Sequence, residues 1–154
     1  MRRLKFGLVF IFILLLVGRG SAFARAIRQG DQCIIEANET VEGNLFALCR
    51  TLQIRGTING DVLGAATEAK ISGKITGDIY MLAGQLEITG DVGEDVHFAG
   101  SVLHILSAAK LSNPEADLMS LSLSTTIDPG ASVPGNVTAA GYQLVLNGPV
   151  GREL

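Results

Sequence analysis

From about residue 41 onward, apolar and polar residues alternate in short stretches, and glycine breaks each stretch before it reaches helical length. In Asp78-Ile79-Tyr80-Met81-Leu82-Ala83 the residues Ile79, Met81 and Ala83 share one side. After Gly84-Gln85 the phase shifts, so Leu86 and Ile88 share a second side and Val92 lies on a third. Period-two alternation interrupted by glycine predicts short strands joined by tight bends. The arrangement returns every 17 residues: Ile58-Asn59-Gly60-Asp61-Val62, then Ile75-Thr76-Gly77-Asp78-Ile79, then Val92-Gly93-Glu94-Asp95-Val96. A fixed period of this size marks a solenoid, in which each repeat buries its apolar face by stacking on the next.

Seventeen residues with three such stretches describe one turn of a three-sided parallel β-helix, so the predicted class is all-β. Three internal ladders are expected: Val62, Ile79 and Val96; Ile54, Ile71, Ile88 and Ile105; and Leu52, Ala69, Leu86 and Leu103. Successive coils would lie about 4.8 Å apart. Gly43, Gly60 and Gly77 mark one corner and Gly56, Gly73 and Gly90 another. The expected reason is a positive φ, which glycine reaches at no steric cost. A hexapeptide helix is excluded, because the apolar marks Ile58, Val62, Ala66, Ala69, Ile71 and Ile75 are spaced 4, 4, 3, 2 and 4.

The refrain loosens after Ile105, and irregular coils are expected over residues 106–132. It recovers by Val133, and Gly151-Arg152-Glu153-Leu154 reads as the start of a further coil. The expected organisation is a signal segment at 1–24, a leader at 25–33 and a β-helix domain at 34–154.

The N-terminus has a different pattern. Arg2, Arg3 and Lys5 precede an uncharged apolar run from Phe6 to Val17, followed by the small-residue site Ala22-Phe23-Ala24. This is the layout of a secretory signal helix cleaved after Ala24. The run is shorter than the roughly 20 residues that span a bilayer, and an uncleaved anchor is the alternative. The expected location is therefore extracytoplasmic, in the cell envelope, with membrane contact only through this segment if it is retained.

Cleavage would remove Arg2, Arg3, Lys5 and Arg19, taking the basic residues from 12 to 8 against 15 acidic ones, a net charge of −7 (8 minus 15). Such a chain has no electrostatic affinity for nucleic acid or an anionic lipid surface. An exported chain meets an oxidising space, where its two cysteines, Cys33 and Cys49, can bridge. They can equally be small apolar fillers, since Cys49 aligns with Ala66 and Ala83. No Cys-x-x-Cys spacing is present.

Asn44, Asp61, Asp78 and Asp95 occupy equivalent places in successive coils. Stacked carboxylates could fix a corner by accepting backbone N–H groups, hold a cation, or act as an acid pair on a glycoside. Turn chemistry favours the first, leaving Asp61, Asp78 and Asp95 a weak candidate cation ladder. His97 and His104 fall on different outward faces, without the third donor a metal site needs. The run Ser120-Leu121-Ser122-Leu123-Ser124 lacks a Gly-x-Ser-x-Gly elbow and reads as a strand. No phosphate loop or nucleotide fingerprint occurs, so no catalytic residue, metal or cofactor is assigned.

The sustained Ile-x-Gly-x-Ile-x-Gly-Asp-Val units over residues 34–154 resemble the bactofilins, bacterial polymer-forming cytoskeletal proteins. The signal segment, Pro129-Gly130-Ala131-Ser132-Val133-Pro134-Gly135-Asn136-Val137 and Ala140-Gly141-Tyr142-Gln143 resemble an exported branch of that family. The resemblance implies a right-handed β-helix, filaments formed head-to-head or tail-to-tail without nucleotide, and no catalysis. Members of that branch usually continue into C-terminal membrane helices, which are not found here; a shortened or divergent secreted form is the corresponding expectation.

The expected function is then a self-assembling envelope scaffold whose partner is itself, joined end to end, with envelope components as further partners. The candidate end residues are Ile34, Ile35, Val41 and Leu45 at the N-terminal end, and Leu144, Leu146, Val150 and Leu154 at the C-terminal end. The alternatives are a β-helix that binds or processes cell-surface polysaccharide, and a truncated remnant of a longer membrane-anchored protein.

Overall fold

The computed structural model describes residues 25–151; the expected signal segment at 1–24 and the candidate end residue Leu154 lie outside the described residues. In chain order the strands are β1 (Arg25–Ile35), β2 (Thr40–Glu42), β3 (Asn44–Ile54), β4 (Thr57–Asn59), β5 (Val62–Ile71), β6 (Lys74–Ile75) and β7 (Ile79–Ile88). They continue as β8 (Asp91–Val92), β9 (Val96–Ile105), β10 (Lys110–Leu111), β11 (Leu118–Ile127), β12 (Val137–Ala140) and β13 (Gln143–Leu146). The long strands stack in parallel as β1-β3-β5-β7-β9-β11-β12, with β13 also on β11, and the short ones as β10-β8-β6-β4-β2. This is a β-solenoid of about seven turns.

Each long strand covers two sides of the coil. In β7 the residues Ile79, Met81 and Ala83 are buried, then the phase slips at Gly84-Gln85 and Leu86 and Ile88 are buried. Val92 on β8 closes the third side. Registers confirm the expected ladders: Val62 pairs with Ile79 and Ile79 with Val96, while Ile54, Ile71, Ile88 and Ile105 stack in order. Each buried isoleucine of that column contributes roughly 1.5–3 kcal/mol relative to exposure. The bore also accepts one aromatic: Phe98 is buried, and its ring reaches the space a side chain at Gly100 would fill.

Three expectations are corrected. Residues 25–33 are not a leader, because β1 begins at Arg25 and pairs with β3 along its length. The corner glycines mostly do not take positive φ; of the six, only Gly43 does, at 86°. A Cβ at Gly56, Gly73 or Gly90 would instead strike the carbonyl oxygen of the coil below, that of Glu39, Gly56 or Gly73. Coil spacing, and not backbone torsion, requires glycine there. Thirdly, the N-terminal end is closed: Ile35, Val41 and Leu45 are buried.

Arg28 explains part of that closure. It sits at an inward position, paired with buried Ala47, and its guanidinium meets the Glu39 carboxylate at 2.7 Å. The ion pair ties the first side of the first coil to the corner before its third side. Between the first and second coils, Cys33 of β1 and Cys49 of β3 form a disulfide with Cα atoms 6.1 Å apart. Both sulfurs lie in the bore, Cys49 in register with Ala66.

The loosened region keeps the register while its length changes. The step between equivalent residues is 17 from Asp78 to Asp95, 22 from Asp95 to Asp117 and 19 from Asp117 to Asn136. The surplus folds into tight turns, with Ala109 N–H donating to Leu106 C=O at 2.8 Å and Ala116 N–H to Asn113 C=O at 3.0 Å.

Candidate functional surfaces

The aspartate column is a continuous hydrogen-bonded ladder at the corner before the first side. Each side-chain Oδ1 accepts the backbone N–H of its counterpart one coil later: Asn44 from Asp61 at 3.0 Å, Asp61 from Asp78 at 3.1 Å and Asp78 from Asp95 at 2.9 Å. The chain extends beyond the expected members, with Asp95 accepting from Asp117 at 2.8 Å and Asp117 from Asn136 at 2.6 Å. The asparagines at its two ends also donate side-chain N–H groups, Asn44 to Asp61 at 3.1 Å and Asn136 to Asp117 at 3.5 Å.

This gives the Gly-Asp dipeptide a local reason. A Cβ at Gly77 would collide with Asp61 Oδ1, and one at Gly60 would lie 2.7 Å from Asn44 Oδ1. The glycine leaves room for the carboxylate rising from the coil below. Glu94 and Ala116 stand at the corresponding place further along, so the requirement eases there. With one oxygen of each carboxylate committed to the backbone, the ladder is corner chemistry. Among the described residues no group of three or more His, Cys, Asp or Glu is placed to hold a metal ion.

Tyr80 borders the ladder, its hydroxyl donating to Asp78 Oδ2 at 3.1 Å. That hydrogen bond first, then desolvation and the charges of Asp78, Asp61 and Asp95, hold the phenol above the ordinary tyrosine range. The Tyr80 ring stacks on His97, with centroids 4.6 Å apart and planes 5° from parallel. A sugar-binding platform needs an open ring face, and one face of Tyr80 is covered by the imidazole. His104 lies on a different side, its Nε2 2.8 Å from Asp128 Oδ1. Lys70 is hydrogen-bonded to Glu68 and attracted by Glu87, which raises its pKa.

In β11 the alternation is inverted relative to hydrophobicity. Ser120, Ser122 and Thr125 are buried in the bore, while Met119, Leu121 and Leu123 are exposed. The three hydroxyls satisfy one another at 3.1, 2.7 and 2.8 Å. Among the described residues these three are the buried polar side chains, and they form a hydroxyl plug in the bore.

The outward positions of the first side form an apolar face. Register places Ile27, Phe46, Leu63, Tyr80, His97 and Met119 in one column. Leu48, Ala65, Leu82, Ala99 and Leu121 stand in the next. Leu82 is 60% exposed and Leu121 64%. The other two sides present polar and charged residues at their outward positions, such as Thr51, Gln53, Glu68, Lys70, Glu42 and Lys74. The amphipathic contrast lies between sides of the solenoid and is invisible within any single strand.

Of the expected end residues, Ile34 is half-buried and points outward, in register with Gln53. At the other end, Leu144, Leu146 and Val150 continue bore columns through Thr125, Ile127 and Val133. Leu144 is 45% exposed, and Leu146 and Val150 are only partly covered. Comparison with protein-family models, with curated proteins and with solved structures gives no match to the chain.

Proposed function

We propose that this chain is a non-enzymatic envelope scaffold that pairs tail-to-tail with a second copy through its C-terminal coil, one of the two kinds of end joint that the bactofilin resemblance implies. The observation that supports this reading is the contrast between the two ends. The first coil is closed by the Arg28–Glu39 pair over buried Ile35 and Val41, whereas the last described coil leaves bore residues Leu144, Leu146 and Val150 partly open. A charged lid does not complement an apolar opening, so two C-terminal coils are better matched to one another than to an N-terminal one. Strand edges and bore residues of one copy would be covered by the other, as in β-augmentation.

The test is electron microscopy and sedimentation of the exported chain. End-joined rods about twice the length of one solenoid are expected for the wild type. Leu146→Lys with Val150→Lys should leave unjoined rods of unchanged fold. Wild-type particles that never join at an end would overturn the reading.

A further inference from the structure

We infer that the apolar first side is a second, lateral self-association surface, and that two copies pair on it side by side with their solenoid axes parallel. The occupant is a second copy of this chain. The inference goes beyond end joining and uses different residues.

Three observations carry it. First, size: the five stacked strands from β3 to β11 at about 4.8 Å and five residues at about 3.3 Å give a flat footprint of roughly 24 by 17 Å, or about 400 Å². Two such faces bury about 800 Å² before the relief of protruding leucines is added, which places the pair at the small, weakly associating end of interfaces, near the floor of roughly 1,000 Å². The largest apolar patch on a monomer is ordinarily about 300–600 Å² and often functional, and this contiguous face falls in that range. Secondly, from β3 to β11 the two columns contain no Asp, Glu, Lys or Arg, so nothing charged is desolvated by burial.

Thirdly, the rims differ. One rim is the ladder of Asp61, Asp78, Asp95 and Asp117. The opposite rim follows the last inward residue of the first side: Arg50 beside Asp31 at 3.5 Å, then Thr67, Gly84, Ser101 and Leu123. A two-fold axis parallel to the solenoid sets each acidic rim against the other copy's near-neutral rim. A two-fold axis across the solenoid would set the two acidic ladders against each other, which like-charge repulsion penalises. The same ladder disfavours an anionic lipid surface as the occupant.

The experiment uses the full coding sequence expressed with export, and the recovered protein is measured by sedimentation across the micromolar range. Wild-type chains should associate laterally. Leu82→Glu with Leu121→Glu should weaken that association by at least about a hundredfold, the loss expected when central apolar anchors become charges. Thermal unfolding should be unchanged, since both side chains point out of the fold. Lys74→Glu, on the third side, should leave association intact.

Orientation is read from Thr138→Cys with a short bifunctional maleimide, in the Leu146→Lys and Val150→Lys background so that end joining contributes no crosslink. A parallel pair brings the two C-terminal coils together and crosslinks, whereas an antiparallel pair separates them by nearly the solenoid's length. The lateral inference fails if wild-type chains show no association beyond what Leu146→Lys with Val150→Lys abolishes. It also fails if the Leu82/Leu121 variant associates as the wild type does, or if the face binds neutral or anionic vesicles while the chain stays unpaired. End joining is tested by the other variant pair, so either proposal can fail alone.

Discussion

Replacing Asp78 tests whether the ladder is corner chemistry or a charge-based site. Asp78→Ala leaves the Asp95 N–H without its 2.9 Å acceptor and the Tyr80 hydroxyl without its 3.1 Å partner. A hydrogen bond to a charged acceptor contributes about 1.5–3 kcal/mol net, and this half-buried corner belongs at the low end. The substitution also removes repulsion. Carboxylates one coil apart, about 4.8 Å, repel by roughly 0.9 kcal/mol in water and about half that at physiological salt. With two neighbours, the relief approaches about 1 kcal/mol.

Asp78→Asn gains the same relief but keeps an oxygen acceptor, as Asn44 does at the ladder's first rung. The difference between the two variants therefore isolates the hydrogen bonds. Urea unfolding should place the Asn variant within about 1 kcal/mol of wild type, and the Ala variant about 1–1.5 kcal/mol below the Asn variant. Added salt should stabilise the wild type more than either variant. Equal stability of Ala and Asn would refute the backbone-acceptor role. A Ca²⁺-dependent gain in the wild type that both variants lose would restore the cation reading.

Three further outcomes are expected. Reducing the Cys33–Cys49 bridge, or replacing both residues by Ala, should lower stability by about 3 kcal/mol from the loop of 16 residues it closes, with hydrogen exchange rising first in β1; unchanged exchange there would show that the first coil is held by other means. Gly90→Ala should destabilise by at least about 2 kcal/mol because its Cβ meets the Gly73 carbonyl, and a neutral result in thermal unfolding would show that the coils can spread. Thr125→Val should cost about 1 kcal/mol by leaving Ser120 and Ser122 each one partner short, whereas Ser120→Ala, Ser122→Ala and Thr125→Val together should be near neutral; a triple variant as damaged as the single one would mean the hydroxyls do more than satisfy each other.

The bore was readable from sequence because side-chain direction in a strand has period two and the coils repeat every 17 residues. Together these assign Val62, Ile79 and Val96 to one column without any knowledge of the third dimension. The same parity, counted on two and four residues from inward Leu118, places Ser120 and Ser122 in the bore and Leu121 outside. Composition pulls the other way in that strand, so register must be trusted over hydrophobicity. The role of the glycines was not readable, since a collision with a neighbouring coil's carbonyl depends on coil separation and not on local sequence. Nor was the apolar face, which emerges only when outward residues of six strands are set beside one another. The Arg28–Glu39 closure was hidden because the first coil departs from the 17-residue step, pairing Ile35 with Ile54.

The side-chain ladder counts coils and ignores residues. Asp95 reaches Asp117 across 22 residues as readily as Asp78 reaches Asp95 across 17, because the five extra residues leave the column at the turns around Leu106–Ala109 and Asn113–Ala116. Length is thus decoupled from register at those two corners, and stacking stays in phase across the extra residues. A peptide grafted between Ser107 and Ala108 would project once per molecule from a rigid rod. In any ordered assembly it would recur at a pitch set by the rod and not by the graft.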